Sequence, residues 1–356
     1  MHAVRVLASI ALVAAGCTSD AAPPPSSPAP TTGPASFGRP GEPLVAFHSD
    51  PAGRDDTYVM TPDGREPVAV TDGMETIAQP LWSPDGTRLV VECCTSAHGR
   101  LFLVDGPGAD PVELAPEVDE ATAPAWSPDG RAIAFESIAD GGVYVVDVGE
   151  AEPGAPVRLV AGAGPSWSPD GSRLAFFAGE GGNLDIYSAA SDGSDVTRLT
   201  NDPAADHSPI WSPAGGRIAF VSERDGDQDV FVMAADGTGE TDVSSNAAPD
   251  DFPAWSPDGR RVVFVAYLHG ADPFTIGQGD AEIFVVDADG GRPVDASRNQ
   301  AWDGDPAWSP NGRWIVFTRR TDHAEIWVMR ADGTNQRRLR GLTGIANDCC
   351  AAWRPS

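Results

Sequence analysis

The chain has 356 residues, of which 41% are hydrophobic, with 39 glycines and 33 prolines. This mixture favours many short strands joined by turns over long helices. The formal net charge is -28, from 52 acidic and 24 basic residues. Because phosphate binding requires local positive charge, we expect no nucleic-acid partner.

Residues 1–17 have the pattern of an export signal. An apolar run from Val6 to Ala15 follows one arginine and is shorter than the roughly 20 residues that span a bilayer. The run leads into VAAGC, which resembles a bacterial lipobox, so Cys17 is the predicted site of lipid attachment; secretion without a lipid is the alternative. Residues 18–43 are rich in Pro, Ala and Ser, which predicts a spacer. We therefore expect an exported, membrane-anchored lipoprotein, periplasmic or on the cell surface.

One pattern recurs from residue 44 to residue 356. Strings such as PAWSPDGRAIAF and PAWSPDGRRVVF contain a strand that ends at Trp, a tight Ser-Pro-Asp-Gly turn and a second apolar strand. The successive tryptophans are 44, 41, 44, 44, 53 and 45 residues apart, which suits one four-stranded propeller blade per repeat. These tryptophans are Trp82, Trp126, Trp167, Trp211, Trp255, Trp308 and Trp353.

The repeats predict an all-β fold, a seven-bladed β-propeller, with six blades as the alternative if one unit is degenerate. The strand LVAF from Leu44 would be the second strand of a blade, and the strand AAW from Ala351 would be the first. Pairing of the N- and C-terminal strands would complete one shared blade and close the ring, which removes exposed sheet edges. The second strands should be apolar on both faces, because they lie between neighbouring blades.

The WSPDG strings, the IYVM-like strands and the ADG turns resemble the propeller repeats of the TolB family. The resemblance covers about residues 44–356. The chain departs from TolB in having a lipobox and linker where TolB has an α/β domain, and seven units where TolB has six blades. Together with the export signal, the resemblance implies a monomeric, non-catalytic scaffold at the cell envelope that binds a protein, a peptide or another envelope ligand.

The alternative function is that of a stand-alone propeller enzyme. Similar repeats occur in metal-assisted lyases or hydrolases that use His and Asp at the channel mouth, and in prolyl-oligopeptidase-like hydrolases. The sequence contains no G-x-S-x-G nucleophile elbow, which the second of these groups would need. No catalytic residue is therefore predicted.

The two faces of the predicted disc differ. Strand direction alternates, so the Ser-Pro-Asp-Gly and DG turns lie on one side, the turn face, and the variable loops lie on the other, the loop face. Variable loops on a rigid scaffold are where binding residues usually lie. The histidines of the mature chain all map to the loop face, but they come from different blades without ligand spacing, so no transition-metal site is expected. They are His48, His98, His207, His269 and His323.

Four aspartates on the loop face stand five positions before a repeat tryptophan, and one of them precedes His207. We expect them to form an arc around the channel mouth that holds Ca²⁺ or accepts a basic peptide. The alternative is that each carboxylate binds backbone N–H groups of its own loop. The four are Asp206, Asp250, Asp303 and Asp348.

Four cysteines of the mature domain form two vicinal pairs, Cys93 with Cys94 and Cys349 with Cys350. Both pairs should lie on the loop face of adjacent blades. An oxidising compartment favours disulfides, so we predict at least one bond between the pairs, which would lock the C-terminal strand into the ring. A Cys₄ zinc site is the alternative, although structural zinc sites prefer Cys-x-x-Cys.

Overall fold

The computed structural model describes residues 36–38, 42–51, 55–76, 78–95, 98–149, 152–180, 183–268, 279–339 and 347–356. Every regular element in these ranges is a β-strand, so the all-β prediction is confirmed. Within the same ranges, no helix has the length and apolar character needed to cross a membrane. Cys17 and the rest of the predicted export signal lie outside the described residues.

The Trp-Ser-Pro-Asp-Gly strings form tight turns between two strands. In the copy at Trp126, Ser127 N donates to Ala132 O at 2.8 Å, and Gly130 N donates to Ser127 O at 2.9 Å. The Ser127 hydroxyl donates to the Asp129 carboxylate at 2.7 Å. Gly130 has φ +69°, a conformation that favours glycine. Each residue type in the string thus has a local role in the turn.

Within the described residues, 28 strands pair into seven sets of four, here called units 1 to 7, and all but one of the links between neighbouring strands are antiparallel. Unit 1 contains β1 (Val45–Ser49), β2 (Asp56–Met60), β3 (Val68–Ala69) and β28 (Cys349–Trp353). Unit 2 contains β4 (Leu81–Trp82), β5 (Leu89–Thr95), β6 (His98–Val104) and β7 (Val112–Glu113). Unit 3 contains β8 (Ala121–Trp126), β9 (Ala132–Ser137), β10 (Gly142–Asp147) and β11 (Val157–Ala161).

The remaining sets follow in chain order. Unit 4 contains β12 (Ala163–Trp167), β13 (Arg173–Glu180), β14 (Asn183–Ala190) and β15 (Thr197–Arg198). Unit 5 contains β16 (Asp206–Trp211), β17 (Arg217–Ser222), β18 (Asp229–Ala234) and β19 (Thr241–Asp242). Unit 6 contains β20 (Asp250–Trp255), β21 (Arg261–Leu268), β22 (Asp280–Asp287) and β23 (Val294–Asp295). Unit 7 contains β24 (Trp302–Trp308), β25 (Trp314–Arg320), β26 (Ala324–Arg330) and β27 (Arg337–Arg338). Units 6 and 7 are joined into one eight-stranded sheet by a single parallel pair, Ala281 with Trp302.

The repeat tryptophans connect neighbouring units. Trp126 Nε1 in unit 3 donates to Leu81 O in unit 2 at 3.2 Å, and Trp82 Nε1 in unit 2 donates to Ala352 O in unit 1 at 3.3 Å. Trp167, Trp255 and Trp308 make the same bond to Ala125, Ile210 and Ala254. The repeated Trp therefore belongs to the interface between units as well as to its own strand.

The terminal strands share one sheet, as the sequence predicts. Strand β28 pairs antiparallel with β1, and Val45 lies opposite Trp353. On its other side, unit 1 shares an apolar cluster with unit 7 that contains Val45, Phe47 and Val316. These are contacts that a seven-membered ring requires. The blade number and the closed ring remain predictions, which we carry into the proposed function.

The second strand of each unit forms the core, as its apolar sequence predicts. Phe47, Phe135, Phe220, Phe264 and Phe317 occupy this strand in five units, and each is 0% exposed. Their rings pack on an aromatic side chain of the third strand in four of these units, at centroid distances of 5.6 to 5.7 Å. Burial on both faces is what a strand between two neighbouring sheets experiences.

Phe37, from the predicted spacer, is buried against the turn face. Its side chain is 4% exposed and meets the Trp82 ring edge-on at 4.9 Å. Arg354 Nη1 donates to Phe37 O at 2.8 Å, and the Arg354 side chain also lies against Gly86 of the Ser-Pro-Asp-Gly turn. Contacts with the folded domain therefore begin before residue 44.

Candidate binding site

The four predicted aspartates lie at equivalent places on the loop face, at the start of the innermost strands. Asp206 and Asp250 are the first residues of β16 and β20, Asp303 is the second residue of β24, and Asp348 precedes β28. Their exposed fractions are 0% to 2%. They therefore do not form an open arc of carboxylates: each is buried beside partners of its own unit and its neighbours.

Two of these aspartates lie next to an acid near the start of the third strand of a neighbouring unit, Glu282 in β22 and Asp229 in β18. The Asn299 amide donates to Asp303 Oδ2 at 2.6 Å in unit 7 and to Glu282 Oε2 at 3.4 Å in unit 6. Asp250 of unit 6 likewise has an acid of the neighbouring unit nearby, because the charge of Asp229 in unit 5 raises its pKa. Burial of paired carboxylates is unfavourable unless a cation or a proton neutralises them.

Arginine neutralises these acids at three of the junctions between units. Arg319 binds both oxygens of Asp303, at 2.8 and 2.7 Å, and Arg224 binds both oxygens of Asp206, at 3.1 and 3.2 Å. Acids of the third strands have similar partners: Arg198 with Asp185 at 2.6 Å, and Arg338 with Glu325 at 2.7 Å.

The junction between units 5 and 6 lacks this neutralisation. Asp250 lies opposite Ala266, at the register position where Asp303 lies opposite Arg319. Its Oδ2 accepts from the Asn246 amide at 2.5 Å, whereas its Oδ1 has no hydrogen-bond partner. Within the described residues, no salt bridge reaches Asp250. Among the described residues, this junction therefore holds a buried carboxyl group with no cation beside it.

Two further carboxylates surround the same place. The Ser244 hydroxyl lies 3.3 Å from Asp229 Oδ1 and 3.4 Å from Asp242 Oδ1. Burial, together with the charges of Asp242 and Asp227, raises the pKa of Asp229 to about 7. Burial raises the pKa of Asp250 to about 8, and the charge of Asp229 contributes. We call Asp229, Asp242 and Asp250 with Ser244 the acidic junction.

The histidine side chains that the structure describes are not brought together at a metal-binding centre. His207 is 1% exposed, and burial lowers its pKa to about 4; its Nδ1 lies 3.0 Å from the Ser208 hydroxyl. Burial likewise lowers the pKa of His48 to about 3. His269 and the side chain of His98 lie outside the description. Across the described ranges, no three or more His, Cys, Asp or Glu side chains are arranged to hold a metal ion, so the predicted Ca²⁺ has no support there and stays a prediction.

The cysteine pairs lie in neighbouring units, as predicted. Cys93 is in β5 of unit 2, and Cys349 and Cys350 open β28 of unit 1. The two units are linked by the Gln79 amide, which donates to Ala351 O at 2.6 Å. Cys349 Sγ and Cys350 Sγ are 2.8 Å apart. The side chain of Cys94 is not described, and a bond between the pairs stays a prediction.

Sequence reasoning did not single out Asp229, Asp242 or two buried glutamates. The signal for Asp229 was the alternation of aspartates in DGDQD, residues 225–229. Glu92 and Glu136 are acids within otherwise apolar second strands, 8% and 1% exposed. Glu136 Oε2 accepts from Gly164 N of the next unit at 2.6 Å. Burial raises the pKa of Glu92 to about 8, against a hydrogen bond from the Ala123 backbone that lowers it.

A chain of repeated four-stranded units, joined through their tryptophans, is of the β-propeller class. A protein-family model described as the TolB beta propeller domain matches residues 100–277, half of the chain. The chain therefore belongs to the TolB β-propeller domain family. It is also 34% identical over 59 residues to an uncharacterised protein of Agrobacterium fabrum; the match spans 16% of this chain and only 20% of that relative.

Solved structures with the same fold include TolB and two kinds of enzyme. TolB from Acinetobacter baumannii matches with a TM-score of 0.54 and 18% identity over 88% of this chain and 83% of that one. Oligogalacturonate lyase in complex with manganese matches with a TM-score of 0.57 and 16% identity over 83% and 84%. A puromycin-hydrolyzing peptidase of Mycobacterium tuberculosis matches with a TM-score of 0.60 and 17% identity over 86% of this chain and 53% of that one. At these identities the likeness shows the fold, and the fold serves more than one activity.

Proposed function

We propose that the chain is an exported, lipid-anchored, seven-bladed TolB-like propeller that binds a basic protein or peptide on its loop face and catalyses no reaction. The acidic junction carries this proposal. It holds three carboxylates and, among the described residues, no cationic partner, in a chain whose net charge is -28. A positively charged side chain supplied from outside would stabilise the ionised forms of Asp229 and Asp250, which their raised pKa values disfavour, and would displace their protons.

Equivalent junctions of the same chain support a guanidinium as the ligand. Arg319 and Arg224 occupy this position beside Asp303 and Asp206. Guanidinium donors match a carboxylate with two parallel hydrogen bonds. Asp250 offers the same acceptor without the donor, so a partner's arginine would restore the arrangement that the neighbouring junctions have.

Access to the acidic junction is from the loop that precedes β18. Asp225 is exposed, and Asp227 and Asp242 are half-buried, so these side chains form an acidic path towards the buried Asp250. A gradient of negative charge of this kind attracts a basic partner before contact and increases its association rate. Binding should therefore weaken as salt concentration rises.

The first experiment measures fluorescence polarisation of a labelled arginine-rich peptide with the mature protein, and of a counterpart in which glutamate replaces arginine. Asp242→Asn should weaken binding of the arginine peptide about three- to tenfold, the effect of one charge at a partly exposed interface. The matched control is Asp295→Asn. Each of the two aspartates accepts a hydrogen bond from the backbone N–H of the residue three positions later in the chain. Asp295, however, belongs to the junction that contains Arg319. Equal effects of the two variants would overturn the proposal.

A second variant supplies the missing arginine from the chain itself. Ala266→Arg places a guanidinium at the register position of Arg319, next to Phe264 and Phe284, the counterparts of the rings that Arg319 contacts. We expect it to abolish binding of the arginine peptide. Loss of wild-type binding in the presence of a chelator would show that a metal ion is the ligand, and turnover of a glycan or peptide by purified protein would refute a non-catalytic role.

The lipid anchor has its own test. In cells, Cys17→Ser should move the protein from the membrane fraction to the soluble fraction of the envelope, because the thiol is the predicted point of lipid attachment. Retention of the variant in the membrane fraction would refute the anchor and leave the binding proposal untouched.

A further inference from the structure

A pocket of about 260 Å³ lies on the turn face, opposite the acidic junction. Three consecutive Trp-Ser-Pro segments, from units 3, 4 and 5, line it. Its walls are therefore aromatic rings and prolines: Trp126, Trp167 and Trp211 with Pro128, Pro169 and Pro213.

At three other junctions between units, an arginine covers the repeat tryptophan of the turn face. The Arg88 guanidinium lies 5.1 Å from the centre of the Trp126 ring, and its Nη2 donates to Gly130 O at 2.7 Å. Arg217 covers Trp255 at 5.5 Å and donates to Gly259 O at 2.9 Å. Arg261 covers Trp308 at 4.7 Å and donates to Gly312 O at 3.3 Å. Each arginine immediately precedes the second-strand residue that pairs with the tryptophan of its own unit.

Trp167 and Trp211 lack this arginine, although the rest of the arrangement is present. At the position equivalent to Arg88, unit 3 has Ala132, the residue before Ile133, which pairs with Trp126. Unit 4 has Arg173, but its guanidinium binds within its own unit, to Ser188 Oγ and Asp195 Oδ2, both at 2.9 Å.

The acceptors at these two positions also lack a donor. Within the described ranges, no guanidinium lies over Trp167 or Trp211, and no side chain donates to Gly171 O or Gly215 O, the equivalents of Gly130 O. Two indole faces and two turn carbonyls are thus left without the cation that their counterparts have. The pocket lies at these same two junctions.

We propose that the pocket binds an arginine side chain of a partner protein, whose guanidinium stacks on Trp167, the more exposed of the two rings, and donates to Gly171 O. The geometry is the one that Arg88 adopts on Trp126 and Gly130. A cation over an indole face is attracted by the negative charge on the face of the ring, and the attraction is stronger when water is excluded. Guanidinium suits the site better than ammonium, because it stacks flat and donates sideways at once.

The charge around the pocket favours the same ligand. Asp170 lies in the turn after Trp167, and hydrogen bonds from the Ser168 and Ser172 hydroxyls and the Ser172 backbone lower its pKa to about 2. Hydrogen bonding to Ser127 likewise lowers the pKa of Asp129. These turn carboxylates are therefore ionised at neutral pH and surround the rings with negative charge. This site is on the face opposite the acidic junction and does not depend on the function proposed there.

The test compares N-acetyl-arginine amide with N-acetyl-citrulline amide, which has the same shape without the charge, by quenching of tryptophan fluorescence and by calorimetry. Ala132→Arg would supply the missing arginine over Trp167. It should weaken binding of the arginine probe about 3- to 30-fold, the range that corresponds to one cation–π contact. Val196→Arg is the matched control, because it adds the same charge at a side chain that is 53% exposed beside the outermost strand of unit 4.

A reciprocal variant keeps the proposal testable if Ala132→Arg does not fold. Arg217→Ala uncovers Trp255 and frees Gly259 O, so the variant should bind a second molecule of the arginine probe. For the same reason, free guanidinium should raise the melting temperature of the variant more than that of the wild type. Any of three results would overturn the proposal. They are equal affinities for the arginine and citrulline probes, an unchanged affinity of Ala132→Arg for the arginine probe, and a single binding site for that probe in Arg217→Ala.

Discussion

Glu92→Gln should make the fold more stable at alkaline pH while changing little at pH 5. Glu92 is 8% exposed in β5, and burial raises its pKa from 4.5 to about 8. The folded chain therefore holds a proton between these pH values that the unfolded chain releases. The stabilising effect of this proton is complete below pH 4.5 and is lost as the pH rises towards 8.

The magnitude follows from the size of the pKa shift. Each unit corresponds to about 1.4 kcal/mol, so the shift of Glu92 lowers the free energy of unfolding by up to about 5 kcal/mol between pH 4.5 and pH 8. This is an upper value, because the folded chain relaxes around an ionised carboxylate. The glutamine amide has the same shape, accepts the Ala123 N–H through its oxygen and does not titrate.

The assay is urea denaturation of wild type and variant at pH 5, 6, 7, 8 and 9. The two unfolding free energies should agree at pH 5 and diverge by several kcal/mol at pH 9. Asp63→Asn is the control, because Asp63 lies in an exposed turn and its pKa is lowered, chiefly by the Thr61 hydroxyl. Parallel pH dependences of wild type and Glu92→Gln would refute the reasoning.

Three further predictions concern the contacts that hold the units together. Arg319→Met should lower the free energy of unfolding by about 3 to 5 kcal/mol, since it leaves the fully buried Asp303 uncompensated, and adding Asp303→Asn should recover most of the loss in urea denaturation. Phe317→Ala should lower it by about 3 to 5 kcal/mol by opening a cavity at a ring that is 0% exposed, measured by the same method. Phe37→Ala should lower the melting temperature and change the emission of Trp82, because the Phe37 ring packs on it; unchanged emission would show that the contact does not form in solution.

The candidate site was only partly predictable. The spacing before each tryptophan placed Asp206, Asp250, Asp303 and Asp348 at equivalent positions, and the structure has them there. It did not show that they are buried, because burial depends on the third strand of the neighbouring unit. Nor did it show that Asp250 alone among Asp206, Asp250 and Asp303 lies without an arginine.

The repeat, the turn chemistry and the pairing of the terminal strands could all be predicted from the sequence, because each depends on residues that are close together in the chain or on a count of repeats. The Ser127–Asp129–Gly130 turn closes through bonds that span at most five residues. The choice of which arginine contacts which acid or ring depends instead on how neighbouring units pack. Arg88 lies over Trp126 and donates to Gly130, both of the next unit, about 40 residues along the chain, and no local pattern reports that Ala132 leaves the next indole uncovered. The difference arises because turns are formed by neighbours in the chain, whereas ligand sites are formed between units.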